Sequence, residues 1–254
     1  MERRYQALIF DLDGTAIPNG RYALPSERVI NAVRAATKLI HVSAATGRPI
    51  SNSREILQKL GLESPCIVSG GAQIINPATE ETLWERKLDS SQVKKIIDIC
   101  TPYPYTFLFD DELLDEDAST PAKEKIADGQ KRVAYIMAAK EVDADLLVKG
   151  INEIADVVAH TVPSWTPGHR DIHITHKLAT KQHALEILLD MISVQKDATM
   201  AVGDSNNDLP LFRIAGFKVA MGNASDELKG EADFITSSVD EDGLAQVIEQ
   251  RILP

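Results

Sequence analysis

The sequence predicts an α/β fold: a parallel sheet covered by helices on both faces, built from the two ends of the chain, with an α+β segment inserted between them. Three observations predict it. Short apolar runs that end at polar or glycine positions recur near both ends of the chain. Amphipathic helical segments lie between those runs, as a parallel sheet buried on both faces requires. The middle of the chain instead alternates polar and apolar residues, the pattern of a sheet with one face open or covered by a few helices.

In chain order, the first strand is expected at 7–10, with Asp11, Asp13 and Gly14 directly after it. A helix over 26–37 places Val29, Ile30, Val33 and Ala36 on one face, with Ser26 as its N-cap. A strand at 39–44 runs into Thr46-Gly47-Arg48, and a helix at 51–60 carries Ile56, Leu57 and Leu60 before Gly61 stops it. Cys66, Ile67 and Val68 form the third run. Strands follow at 82–88, 105–109, 132–137, 156–160 and 171–175, with helices at 90–99 and 143–154. The acidic, lysine-rich stretch 110–130 has no period and is expected to be loop. A helix over 180–192 aligns Leu185, Leu188, Leu189 and Ile192. Runs at 199–202, 217–220 and 234–236 complete the core strands. The expected domains are a core of 1–77 and 179–254 around an insertion of 78–178.

Composition narrows the function. A chain of 254 residues, 44% hydrophobic and 26% charged, suits one or two domains with a real core. No apolar stretch approaches the roughly 20 residues that span a bilayer, and the opening MERRYQ lacks the small-residue cleavage site of a signal peptide. Cys66 and Cys100 form neither a metal nor a redox spacing, which predicts buried thiols and a reducing, cytoplasmic setting. A formal net charge of −11 argues against nucleic acid or anionic lipid as partner. An anionic small molecule would need a local device, such as a metal ion, a lysine or a helix N-terminus.

Four places put polar residues where such a device belongs. Asp11 and Asp13 follow the first strand, Thr46-Gly47-Arg48 the second, and Gly203-Asp204-Ser205-Asn206-Asn207-Asp208 the strand at 199–202. Lys181 opens the helix before that strand. The carboxyl ends of parallel strands line one edge, where α/β proteins bind ligands. Singly, each has a plainer reading: an acidic turn, a common loop triplet, a solvated first-turn lysine. Their shared edge favours chemistry. Asp11, Asp13 and Asp204 could offer Mg²⁺ the hard oxygens it prefers, and an ionised aspartate is a competent nucleophile towards phosphorus. Hydroxyl and N–H groups at Thr46-Gly47 suit phosphate oxygens, and Lys181 adds a cation. Phosphoryl transfer asks for this positioning and charge neutralisation.

These motifs, taken together and in this order, resemble those of the haloacid dehalogenase-like superfamily of phosphohydrolases. The stretch KVAMGNASDELKGEADFITSSVDEDGLAQVI resembles its Cof-type branch, subfamily IIB. The resemblance covers both core segments; the insertion matches mainly in position and in strand–helix order. It implies a Rossmann-like core and a C2-type cap over 78–178 that supplies substrate specificity. It implies Asp11 as nucleophile and Asp13 as general acid and then base, with Asp13 giving the metal only its backbone carbonyl. Asp204 would be the third protein contact to Mg²⁺, and Asp208 would orient nearby groups. Thr46, Gly47, Lys181 and Asn207 would hold the phosphoryl group, with Arg48 in support. The implied activity is Mg²⁺-dependent hydrolysis of a small phosphorylated metabolite through an aspartyl-phosphate.

Two positions depart from the family pattern. Ala16 replaces a larger apolar residue, and Ser69-Gly70-Gly71-Ala72 replaces the more usual Asn-Gly-Ala after the third strand. In the cap, Trp165, His169, Arg170, Asp171 and His173 are candidates for substrate contact, Arg170 through a second anionic group. His173 reads more simply as one position of an alternating strand, and His169, His173 and His176 do not make a convincing metal site. A sugar phosphomutase with the same cap class is the alternative activity. A non-catalytic phospho-accepting domain is a further one, although such domains lack the second aspartate and the cap.

Overall fold

Ala7–Phe10 is a run of four residues with no solvent exposure, and it forms the central strand β1 of a parallel sheet in the computed structural model. The structure describes residues 4–20, 22–110, 112–114, 120–164 and 166–253. Helix α1 (Glu27–Thr37) follows, capped by Ser26, whose Oγ accepts the Val29 N–H. Its buried face is Val29, Ile30, Ala32, Val33 and Ala36. Strand β2 (His41–Ala44) starts later than expected, because Leu39 and Ile40 close the end of α1 by donating to the Ala36 carbonyl. Helix α2 (Ile50–Leu60) ends on Gly61 in the left-handed conformation.

Strand β3 (Cys66–Val68) departs from expectation. It pairs antiparallel with β4 (Gln73–Ile75) in a three-stranded sheet completed by β5 (Thr82–Glu85). A single parallel bridge, Ala45 to Ile67, ties that sheet to the core. The core sheet itself draws on both ends of the chain. Its C-terminal half contributes α6 (Lys181–Met191), β11 (Thr199–Gly203), α7 (Leu209–Phe212), β12 (Phe217–Ala220), α8 (Asp226–Gly230), β13 (Phe234–Ile235) and α9 (Gly243–Arg251). The strand order is β13-β12-β11-β1-β2, all parallel, with Ala7 beside Thr199 on one side and His41 on the other. One contiguous apolar cluster fills this unit, from Leu8 and Phe10 to Leu188, Val202 and Ile248.

The chain divides into two compact units, Met1–Trp84 with Thr180–Pro254, and Glu85–Ala179. The first crossing comes after Trp84 rather than near 78, because β5 belongs to the sheet of β3 and β4.

The second unit contains α3 (Ser90–Cys100), β6 (Thr106–Phe109), β7 (Glu112–Leu114), α4 (Thr120–Ala127), β8 (Val133–Lys140), α5 (Glu141–Asn152), β9 (Val157–Pro163) and β10 (His169–His176). Its sheet is antiparallel in the order β7-β6-β8-β10-β9. Ile136, Ile172 and Ile174 share its apolar cluster with Val93, Ile96 and Leu147 from α3 and α5. The expected loop at 110–130 instead holds β7 and α4. Asp110 turns the chain with a φ of 52°, and its Oδ1 accepts the Arg132 and Val133 N–H groups. That anchor starts a hairpin in which Phe107 faces Leu114. Three residues of strand and eight of helix are too short to show a period.

Candidate active site

The loop after β1 is fixed before any side chain is considered. The Asp11 N–H donates to the Val202 carbonyl of β11 at 3.1 Å, and the Leu12 carbonyl accepts from Ala16 and Ile17. Ala16, the smaller residue noted in the sequence, is buried in that turn. Gly14 has a φ of 74°, and a Cβ there would lie 2.1 Å from Asp204 Oδ2. Only glycine lets the backbone turn this close to that carboxylate.

Lys181 bridges the centre of the site. Its Nζ donates to Asp11 Oδ1 at 2.9 Å and to Asp208 Oδ1 at 2.7 Å. All three side chains are buried. Thr180 caps α6 by accepting the His183 N–H, which sets Lys181 in the first turn. The other oxygen of Asp208, Oδ2, accepts the Asp204 and Ser205 N–H groups at 3.1 and 3.2 Å. Both oxygens of Asp208 are thus engaged, while among the described residues no backbone N–H donates to Asp11 Oδ2 or to the Asp204 carboxylate. Carboxylate oxygens of Asp11, Asp204 and Asp208 lie within 4.8 Å of one another.

Electrostatics set the charge balance of this cluster. Burial raises Asp11 well above the usual carboxylate range; Lys181 opposes the shift, and Asp208 and Asp204 add to it. Burial and the neighbouring Asp208 push Asp204 up to about 7. Burial pulls on Lys181 in the other direction, but the charges of Asp11 and Asp208 outweigh it and hold the ammonium protonated. Three buried carboxylates thus face one ammonium, an excess of two negative charges when all are ionised. A divalent cation bound by oxygens of Asp11 and Asp204 would balance that excess. The donor set fits Mg²⁺.

Asp13 stands outside this cluster. Its carboxylate is gripped by the Arg48 guanidinium, Nε to Oδ2 at 2.7 Å and Nη2 to Oδ1 at 2.5 Å. Thr46 is fully buried; its Oγ1 accepts the Arg48 N–H, and its carbonyl accepts the Gly70 N–H. Open space lies where a Gly47 side chain would be. Asn207 is exposed in the 204–208 loop, and its Oδ1 accepts from Ser205 Oγ at 2.7 Å.

Two positioning residues escaped the sequence reading. Asn223 donates to the Gly14 carbonyl at 2.9 Å and accepts the Val239 N–H, so it pins the loop behind Asp13. It follows β12, and the strand-end rule that found the other residues would have found it. Gly71, noted only as a departure, has a φ of 105°; a Cβ there would lie 2.2 Å from the Thr180 carbonyl carbon. Its role is to admit the N-terminus of α6, and with it Lys181.

Within the second unit, Arg170 pairs with Glu141 at 3.2 Å, and Asp171 Oδ1 accepts the Ala138 N–H at 2.7 Å. His169 Nδ1 lies 3.0 Å from the Pro167 carbonyl, and His176 Nδ1 accepts the Leu178 N–H. His173 is buried, stacked on Tyr135 at 4.6 Å and edge-on to His160 at 5.3 Å. Trp165 lies outside the described residues.

Fold and site define the class: a hydrolase whose aspartates gather at the carboxyl edge of a parallel α/β core. The family model for haloacid dehalogenase-like hydrolases matches residues 8–248, and the chain belongs to that family. It is 26% identical to the 5-amino-6-(5-phospho-D-ribitylamino)uracil phosphatase YitU of Bacillus subtilis, over 98% of each protein. Its fold is similar to that of a haloacid dehalogenase-like hydrolase from Bacteroides thetaiotaomicron, with a TM-score of 0.81 at 23% identity, covering 97% of this chain and 99% of that one. The subclass IIB sugar phosphatase BT4131 of the same superfamily is similar too, with a TM-score of 0.76 at 24% identity over 96% of this chain and 98% of its own. Among the described residues, no helix is long and apolar enough to cross a membrane.

Proposed function

We propose that the protein is a Mg²⁺-dependent phosphomonoester hydrolase of a small phosphorylated metabolite, working through an aspartyl-phosphate on Asp11. The observation that carries this reading is the buried Lys181 bridge between Asp11 and Asp208 beside the carboxylate of Asp204. Asp11 and Asp204 would hold the cation, with the Asp13 carbonyl as the third protein contact. Bound Mg²⁺ supplies charge neutralisation for the carboxylates and the incoming phosphate.

The residues divide the remaining work. Thr46, Gly47, Asn207 and Lys181 bind and orient the phosphoryl oxygens, and Asp208 holds Lys181 in place. Asp11 Oδ2 attacks phosphorus, the bond to the leaving oxygen breaks, and Asp13 gives that oxygen its proton. Water then attacks the phosphorus of the aspartyl-phosphate. Asp13 takes the water's proton, the bond to Asp11 breaks, and inorganic phosphate leaves. The unit Glu85–Ala179 acts as the specificity element in this reading. A metabolite substrate agrees with the phosphatase names of the relatives, and the two unpaired buried thiols support a reducing, cytoplasmic setting.

The test is hydrolysis of p-nitrophenyl phosphate with and without Mg²⁺, by wild type and by Asp11→Asn. Metal-dependent turnover is expected from the wild type alone. Equal turnover by both proteins would remove Asp11 from the nucleophile's role. Isomerised product from a hexose phosphate, in place of free phosphate, would favour a mutase.

A further inference from the structure

Arg48 makes more contacts than a supporting charge needs. Its guanidinium takes both oxygens of Asp13 in a fork, at 2.7 and 2.5 Å. Nη2 also donates to the Gly20 carbonyl at 2.9 Å, and Nη1 to the Asn52 carbonyl in the first turn of α2 at 3.3 Å. Its own backbone is held at both ends: the N–H by Thr46 Oγ1, the carbonyl by the Ser69 N–H. Its side chain is 13% exposed. Loop 13–20 and helix α2 therefore meet on one guanidinium, while the loop after β3 holds the backbone that carries it. Such a fork fixes the plane and direction of a carboxylate, which a lysine, a point charge, cannot do.

We infer that Arg48 is the positioning residue for proton transfer by Asp13. The inference rests on the phosphatase reading above. The fork keeps the Asp13 carboxylate apart from the Asp11, Asp204 and Asp208 cluster and aims it in one direction. It also meets the charge that Asp13 gains. When Asp13 gives its proton to the leaving oxygen it becomes a carboxylate, the form that accepts both guanidinium bonds. When Asp13 takes a proton from water, one of those bonds loosens and the other keeps the group in place. The fork is already made to the resting carboxylate, so Arg48 contributes orientation throughout the cycle and not an attraction confined to one step.

The experiment compares two esters in single-turnover release of the leaving group with Mg²⁺ present, which isolates the first step. Phenolate is a poor leaving group and needs a proton; 2,4-dinitrophenolate leaves without one. Arg48→Met is expected to slow phenyl phosphate by about 100-fold, within the range of general acid catalysis, and to slow the dinitrophenyl ester at least about tenfold less. Asp13→Asn is expected to show the same selectivity, and the double variant to lose little more than Asp13→Asn alone. Arg48→Lys, which keeps the charge without the fork, is expected to fall between wild type and Arg48→Met and provides the same ratio should Arg48→Met fold poorly. Equal losses on the two esters, or additive losses in the double variant, would overturn the positioning role and leave the phosphatase reading standing. A wild type inactive on both esters would count against the phosphatase reading itself.

Discussion

Neutralising Asp204 should stabilise the metal-free protein, although the substitution removes a residue of the site. Burial and Asp208 push the Asp204 carboxyl up to about 7, against an ordinary value of 3.8. A carboxyl raised in the folded state binds its proton more tightly there than in the unfolded chain. Its ionised form therefore costs the folded state stability, and the cost grows as pH rises from the unfolded to the folded value. Three pH units at about 1.4 kcal/mol each give a cost of about 4 kcal/mol at pH 8, falling to about 1 kcal/mol at pH 4.5. Asp204→Asn keeps the shape and drops the charge. In chelator, urea denaturation at pH 8 should show the variant more stable than wild type by about 2–4 kcal/mol, with the gap shrinking towards about 1 kcal/mol at pH 4.5. Mg²⁺ at 100 times its Kd should close most of the gap, because it adds about 2.7 kcal/mol to the protein that binds it. A variant less stable than wild type at pH 8 in chelator would refute the electrostatic account of this cluster.

Two further outcomes follow from the same geometry. Lys181→Met leaves three buried carboxylates without their ammonium, so stability should fall by about 3–5 kcal/mol and p-nitrophenyl phosphate turnover by at least 100-fold; urea denaturation and initial rates measure the two. Gly71→Ala puts a Cβ 2.2 Å from the Thr180 carbonyl carbon at a φ of 105°, and should cost more than about 3 kcal/mol and lower kcat more than KM, because the start of α6 must move; an unchanged melting temperature would show that the backbone there relaxes freely.

The core was legible because burial imposes a period. Continuous apolar runs gave away β1, β11 and β12, and the stripes of α1, α2 and α6 stood at helical spacing. The strand-end rule singled out Asp11, Asp13, Thr46 and Asp204, and the start of α6 singled out Lys181. Other features lie in contacts that no local pattern carries. The partner of Asp13 is Arg48, 35 residues away. Gly71 looked like a family departure, yet the reason for it is the backbone of Thr180, visible only in three dimensions. Strand β3 reads like a core strand because it is fully buried, but its partner is β4 and only Ile67 bridges to the core. The hairpin and helix near 112–127 were too short to announce themselves, and the acidic composition around them suggested a loop.

The parallel pairing of β1 with β11 has a consequence for the newly made chain. Phe10 lies beside Val202, so one flank of this fully buried strand waits for roughly 190 residues to be synthesised. At about 5–20 residues per second, the ribosome leaves that edge open for about 10–40 s. Residues 85–179 emerge before β11 does and have their own apolar cluster. The interrupted core should therefore fold last, after the segment that interrupts it. During that interval β1 presents unpaired backbone groups to any other nascent copy, and molecular chaperones should matter most to this protein then.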